Sequence, residues 1–153
     1  LSALARFWPV EAPDLAWLDA NFTPVPGAQY YAEQVGVNDG ADISIFTYDY
    51  LAGEYQTAEG APFSLSWTFH PNWEAEDQYT VLGGIDKVED YTTADGAAVT
   101  IEWYTTAGGQ SRFFASFGYP HVDFSLNGAG MEPEEVYEIL DHMALSALQA
   151  FQG

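Results

Sequence analysis

The three histidines of the chain, His70, His121 and His142, are its most versatile chemical groups. A histidine can transfer protons near neutral pH or bind a metal ion through a ring nitrogen. Helical zinc sites typically show a His-Glu-x-x-His spacing, and no two histidines of this sequence stand four residues apart. We therefore expect no metal site and interpret all three as surface or hydrogen-bonded histidines.

Carboxylates are the second kind of group that could take part in chemistry. The chain has 23 acidic residues and three basic ones. Residues 38–42 and 90–95 offer the oxygen atoms that calcium prefers, but neither segment has the spacing of an EF-hand loop. Asp39-Gly40 lies in the first segment and Asp95-Gly96 ends the second, and because Asp-Gly is typical of hairpin turns we interpret both as turns. A glycosidase-type carboxylate pair is a weak prediction here, because so acidic a chain contains many such pairs by chance.

The sequence lacks the motifs of covalent catalysis and phosphate binding. Four serines fall on the polar faces of predicted strands without a Gly-x-Ser-x-Gly elbow around them, namely Ser44, Ser64, Ser66 and Ser125. Gly83-Gly84 and Gly108-Gly109 lack the strand–loop–helix context of a phosphate-binding loop. Cysteine is absent, which excludes disulfides, thiolate catalysis and iron–sulfur clusters. We predict a protein that is not an enzyme and has no catalytic residues, cofactor or metal.

The net charge of −20 limits the partners that the chain can bind. Nucleic acids and anionic membranes are bound through clustered Lys and Arg, and only Arg6, Lys87 and Arg112 are present. We therefore expect neither as a partner. The expected partner is a protein, with an apolar ligand as a further option.

Aromatic residues make up 16% of the chain, and most of them fit a core. Trp73 lies in an acidic loop, and Tyr30 and Tyr31 have no evident core role. Exposed aromatic rings can bind sugars, a lipid or a partner peptide. These three residues are therefore the predicted contacts for a ligand or partner.

The elements that must position these residues are short strands followed by one helix. Residues 63–69 alternate apolar and polar side chains and form the clearest predicted strand, with residues 98–103 and 122–126 next. Short turn signals between the strands favour antiparallel pairing in a meander. An apolar stripe that includes Val136 and Leu140 predicts a long helix over residues 132–151.

These elements predict a single α+β domain over residues 1–153. We expect one curved antiparallel β-sheet of six to eight strands, with the long C-terminal helix packed on one face. In this prediction, residues 1–28 form a lead segment with a short helix and residues 29–128 are mainly strands.

The spacing of turns and aromatic strands over residues 55–69 and 83–143 is similar to that of a known family. Its landmarks are Asp95-Gly96, Ile101-Glu102-Trp103, Phe124 to Gly128, and an acidic Glu-Pro-Glu-Glu helix start. Over roughly the last two-thirds of the chain, this pattern resembles the bacterial domain of unknown function 4367. The resemblance implies an extracytoplasmic domain that follows a membrane anchor or a lipoprotein signal, and it supplies no catalytic residues. It also implies that the partner is a protein or another component of the cell envelope.

The function expected on these grounds is a non-catalytic extracytoplasmic sensor or binding module of a secreted or membrane-anchored bacterial envelope protein. One alternative is a half-barrel carrier of a lipid or another apolar ligand, which needs a deep apolar pocket between sheet and helix. A second alternative is a secreted acidic hydrolase, which needs two carboxylates that converge in a cleft. Residues 1–10 show no signal peptide, so any export signal or anchor is expected in a segment outside this chain.

Overall fold

The computed structural model describes residues 1–39, 43–70 and 85–152, with side chains for all of these except 34–48. A first 3-10 helix (Ser2–Phe7) and α1 (Leu15–Asn21) precede the strands. The strands are β1 (Thr23–Pro24), β2 (Tyr30–Asp39), β3 (Ile43–Gln56), β4 (Pro62–Phe69), β5 (Ile85–Thr92), β6 (Ala98–Thr105), β7 (Ser111–Tyr119) and β8 (Val122–Ala129). Helix α2 (Pro133–Asp141) and a second 3-10 helix (Leu145–Ala150) complete the described elements.

All eight strands belong to one antiparallel sheet, which confirms the prediction of a single sheet with six to eight strands. Strands β2, β3 and β4 pair in sequence, as do β5, β6, β7 and β8. Pairing of β4 with β8 joins these two meanders. The order across the sheet is β1-β3-β4-β8-β7-β6-β5, and β2 also pairs with β3.

The helices cover one face of this sheet. Along β4 the side chains of Leu65 and Trp67 are buried, whereas those of Ser64 and Ser66 are only half-buried on the opposite face. The same buried cluster contains residues of the helical segments, namely Leu15, Leu18, Val136, Ile139, Leu140, Leu145 and Leu148. Burial of this apolar surface is the main term that stabilises the domain.

The predicted long helix over residues 132–151 is wrong in its length. Helix α2 ends at Asp141, and Ala144 takes a left-handed φ of 50° before the second 3-10 helix begins. In one continuous helix, Leu145 would lie about 180° around the axis from Val136 and would face away from the core. The break instead turns Leu145 inward, where it is fully buried.

Polar contacts hold the broken helix in place. The Asp95 carboxylate accepts a hydrogen bond of 3.0 Å from the backbone N–H of Ser146, at the start of the second 3-10 helix. The carbonyl of His142 accepts one of 3.0 Å from the backbone N–H of Asp14. Both contacts satisfy backbone groups that the break leaves without an intrahelical partner.

The substitution Ala144→Gly tests whether the C-terminal helix is interrupted at this residue. A left-handed conformation strains any residue with a Cβ atom, so we expect Ala144→Gly to raise the free energy of unfolding by about 0.5 kcal/mol or more. The control Ala147→Gly, inside the second 3-10 helix, should lower it by about 0.5–1 kcal/mol. Urea unfolding measures both, and destabilisation by Ala144→Gly would contradict the break.

Candidate functional site

The face of the sheet opposite the helices, here called the open face, is bare of helices in the described part of the chain. Residues paired directly across antiparallel strands have their side chains on the same face. One row of such partners crosses the open face, and its members are Asp90, Thr100, Ser116, Ser125, Ser66, Ala52 and Tyr30.

Four successive members of that row carry hydroxyl groups, and we call Thr100, Ser116, Ser125 and Ser66 the hydroxyl row. They lie on the adjacent strands β6, β7, β8 and β4, so the row is about 14 Å long at a strand spacing of about 4.8 Å. The Oγ atoms of Ser66 and Ser125 are 2.6 Å apart, and all four side chains are half-buried. The hydroxyl row is therefore an uncharged, hydrogen-bonding track across the middle of the sheet.

A second row runs beside the first, and two of its six members, Val88 and Phe114, are apolar. Its members, in strand order, are Val88, Glu102, Phe114, Asn127, Ser64 and Glu54. Among the described residues, the large hydrophobic side chains that are exposed are Val88 at 58%, Tyr30 at 44% and Phe114 at 39%. All three lie on the open face, so the apolar exposure is concentrated on one side of the molecule.

The charges of the open face are mostly negative and lie around the hydroxyl row. Asp90 ends the row on β5, while Glu102 and Glu54 belong to the neighbouring row. Asp123 on β8 is also exposed, and Arg112 on β7 supplies a positive charge. The hydroxyl row itself is thus uncharged, whereas carboxylates border it, with Asp123 two residues from Ser125 on β8 and Glu102 two residues from Thr100 on β6.

The sequence-predicted contact residues fall in different places. The Tyr30 ring lies on the open face 5.4 Å from the Tyr50 ring, and the hydrogen bond with Tyr50 raises the pKa of Tyr30 to about 12. Tyr31 points to the helix side, where its ring stacks on Phe7 at 4.0 Å and its hydroxyl donates to Asp49. Trp73 lies outside the described residues.

Sequence reasoning missed Phe114 and Val88, although a signal for Phe114 existed. Phe113 and Phe114 are consecutive in one strand, so their side chains must point to opposite faces. Phe113 is buried in the core, which leaves Phe114 on the open face. Val88 had a weaker signal, as the apolar residue beside Lys87 and Glu89 on an edge strand.

A polar cleft lies at the helical side of the protein, and its carboxylates are Glu11, Asp14, Asp95 and Asp141. Asp14 caps α1 by accepting a hydrogen bond from the backbone N–H of Trp17. Asp141 accepts bonds of 2.8 Å from both the Tyr91 hydroxyl and the Ala94 N–H. Asp95 accepts from Ser146, as described above. Three of the four cleft carboxylates, those of Asp14, Asp95 and Asp141, thus terminate helices or hold turns.

Two of the three histidines meet where β4 ends and β8 begins. The Nε2 atom of buried His70 is 3.2 Å from a carboxylate oxygen of Asp123. The Nδ1 atom of His121 is 3.0 Å from the carbonyl oxygen of His70. His142 lies apart from both and stacks on Trp17 at 3.8 Å. Within residues 1–39, 43–70 and 85–152, no three histidine or carboxylate side chains are placed to hold a metal ion.

Two stacked tyrosines join β5 to α2. The Tyr91 and Tyr137 rings are 4.5 Å apart, and the Tyr137 hydroxyl donates to both oxygens of Glu89 at 2.8 and 2.7 Å. Burial and the hydrogen bond to Asp141 raise the pKa of Tyr91 to about 12. The hydrogen bond to Glu89, with burial, raises the pKa of Tyr137 to about 12. This network fixes α2 against the edge of the sheet and serves the fold.

Comparisons of the chain with protein-family models, with curated proteins and with solved structures found no match. The resemblance to the domain of unknown function 4367 therefore stays a prediction. Among the helices of the described residues, none is long and apolar enough to cross a membrane.

Removal of the Asp141 carboxylate tests its structural role in the cleft. Asp141→Ala leaves the Tyr91 hydroxyl and the Ala94 N–H without their acceptor, so the free energy of unfolding should fall by about 1.5–3 kcal/mol. The matched control is Glu138→Ala on the exposed side of α2, with a change within about 0.5 kcal/mol. Equal effects of the two substitutions in urea unfolding would show that Asp141 does not anchor the helix.

The tyrosine pair also predicts a loss of stability at alkaline pH. The folded pKa of Tyr91 and Tyr137 is about 12 against an ordinary value of 10.0, so the stabilisation is complete below pH 10 and declines toward pH 12. Absorbance of ionised tyrosine and urea unfolding across this range measure both effects. Tyr137→Phe should lower stability near neutral pH and reduce the alkaline loss. An unchanged alkaline loss in that variant would refute the assignment.

Proposed function

We propose that this chain is a non-catalytic binding module of a bacterial envelope protein and that the open face binds the partner. One observation carries the proposal: Val88, Phe114 and Tyr30, the exposed large hydrophobics of the described residues, share that face. Single exposed apolar side chains are ordinary, but these three, on β5, β7 and β2, all fall on one face with polar groups between them, and we take that face as the binding surface.

The extracytoplasmic location is part of this proposal and rests on the resemblance stated for residues 55–69 and 83–143. A chain without cysteine can fold outside the cytoplasm where its core needs no disulfide, and this core is large. The export signal or membrane anchor would belong to a segment outside this chain. The sensor and binding roles both require the same exposed surface.

The carrier alternative is less well supported by the packing between sheet and helices. Trp67, Leu126, Ile139 and Leu140 meet in this interface, and each is at most 1% exposed. A carrier needs an open apolar space at this place, whereas these side chains fill it. A ligand could enter only by displacing part of the core.

The hydrolase alternative depends on the cleft that holds Glu11, Asp14, Asp95 and Asp141. The last three already accept backbone N–H groups at helix ends and turns. Those contacts account for their positions without any substrate. The open face therefore remains the better-supported site.

Sedimentation with purified bacterial cell walls, freed of their anionic polymers, tests the proposed function. We expect the domain to sediment with the walls and Phe114→Ala to weaken this binding about fivefold, because a large apolar contact is lost. The control Phe151→Ala removes an aromatic ring that packs on the helix side against Phe69 and should bind like the unaltered domain. Circular dichroism checks that both variants are folded.

Two results would count against the proposal. The first is no sedimentation of the unaltered domain with walls. The second is equal weakening by Phe114→Ala and Phe151→Ala, since the loss would then not depend on the open face.

A further inference from the structure

We propose that the open face binds an extended, uncharged polysaccharide whose chain lies along the hydroxyl row. This inference rests on the proposed function and names the chemical class of its partner. The side chains that carry it are those of the hydroxyl row, Phe114 beside it, and the neighbouring tyrosines Tyr30 and Tyr50 beyond its end.

The hydroxyl row matches the hydrogen-bonding character of a sugar polymer. A serine or threonine hydroxyl both donates and accepts, as does each hydroxyl of a sugar. The groups recur on successive strands at about 4.8 Å, close to the repeat of an extended sugar chain. Asn127 and Ser64 extend this lining into the neighbouring row with an amide and another hydroxyl. A periodic surface of this kind suits a repeating polymer better than a single small molecule.

The aromatic residues supply the apolar part of sugar recognition. A pyranose ring has a face of C–H groups, which packs on an aromatic ring while its hydroxyls bond to polar side chains. Phe114 lies opposite Asn127 across β7 and β8, and two residues from Ser116 on the same strand. Tyr30 lies at the far end of the row, beyond Ala52. The Ala52 side chain between Ser66 and Tyr30 is only 5% exposed, so the exposed track itself ends at Ser66.

Charge distinguishes an uncharged polysaccharide from other extended partners. The acidic margins of the face and the net charge of −20 repel anionic polymers, and they also repel a second copy of this chain. A basic peptide bound along the hydroxyl row would need carboxylates beside each of its positive charges. The hydroxyl row carries none. Asp90 follows the row on β5, Glu102 and Glu54 belong to the neighbouring row, and Asp123 lies two residues from Ser125 on β8.

Native affinity electrophoresis of the whole chain tests the inference with four neutral polymers: mixed-linkage β-glucan, hydroxyethyl cellulose, mannan and dextran. A polyuronate serves as the anionic probe and polylysine as the cationic one. We expect retardation by at least one neutral polymer and none by the polyuronate. Binding of the neutral polymer should be unchanged by added salt, because screening weakens only charged contacts.

Two variants examine the residues that carry the inference. The double variant Ser66→Ala with Ser125→Ala removes both members of a hydrogen-bonded pair, so neither hydroxyl is left unpaired in the free protein. This variant and Phe114→Ala should each bind the neutral polymer about fivefold to tenfold more weakly. The first loses hydrogen bonds to the polymer and the second loses packing of the aromatic ring on a sugar, and the two losses are of similar size. Gln149→Ala, exposed on the second 3-10 helix, is the control and should bind normally.

The outcomes separate this inference from the proposed function. If no neutral polymer retards the chain, or if only polylysine does and salt abolishes the effect, the polysaccharide inference is overturned. If cell-wall binding still requires Phe114 in that case, the open face remains a binding surface for a different partner. If cell-wall binding is also absent, both proposals fail.

Discussion

The pairing of β4 with β8 is the interaction on which the rest of the structure depends. It joins two meanders through residues far apart in sequence, with Ser66 and Ser125 separated by 59 positions. On the helix side the same pairing packs Trp67 against Phe124, with ring centres 5.2 Å apart. Because side chains alternate between faces, a slip of one residue would exchange the two sides of β4 and expose its core side chains. One register therefore determines both the core and the hydroxyl row.

The C-terminal segment shows how core burial overrides a helical pattern. A continuous helix would have kept the intrahelical hydrogen bonds across residues 141–145 but would have left Leu145 facing away from the sheet. The chain adopts a left-handed residue at Ala144, which costs about 1–2 kcal/mol, and buries Leu145 and Leu148 instead. Burial of a leucine side chain contributes about 1.5–3 kcal/mol, so the exchange is favourable.

Several carboxylates of the chain have local structural roles, so their presence at the surface does not by itself indicate a binding site. Glu132 and Glu135 form a capping box at the start of α2, and Asp14 caps α1. Asp95 and Asp141 tie the turn between β5 and β6 to the C-terminal segment. Carboxylates at these places satisfy backbone donors at helix starts and turns, so their convergence in the cleft follows from the fold. The open face differs, because its exposed apolar side chains are not covered by any helix of the described residues.

The sequence by itself determined the local elements of this protein. Strand β4 and the start of α2 were predictable because alternation and helix capping involve residues near one another in the chain. The face on which Ser64, Ser66 and Ser125 lie followed from the same alternation. Tertiary structure alone decided that these serines belong to adjoining strands, because β4 and β8 pair across a long separation. It also decided the break at Ala144 and the exposure of Phe114 and Val88, since each depends on which surfaces the completed core can bury.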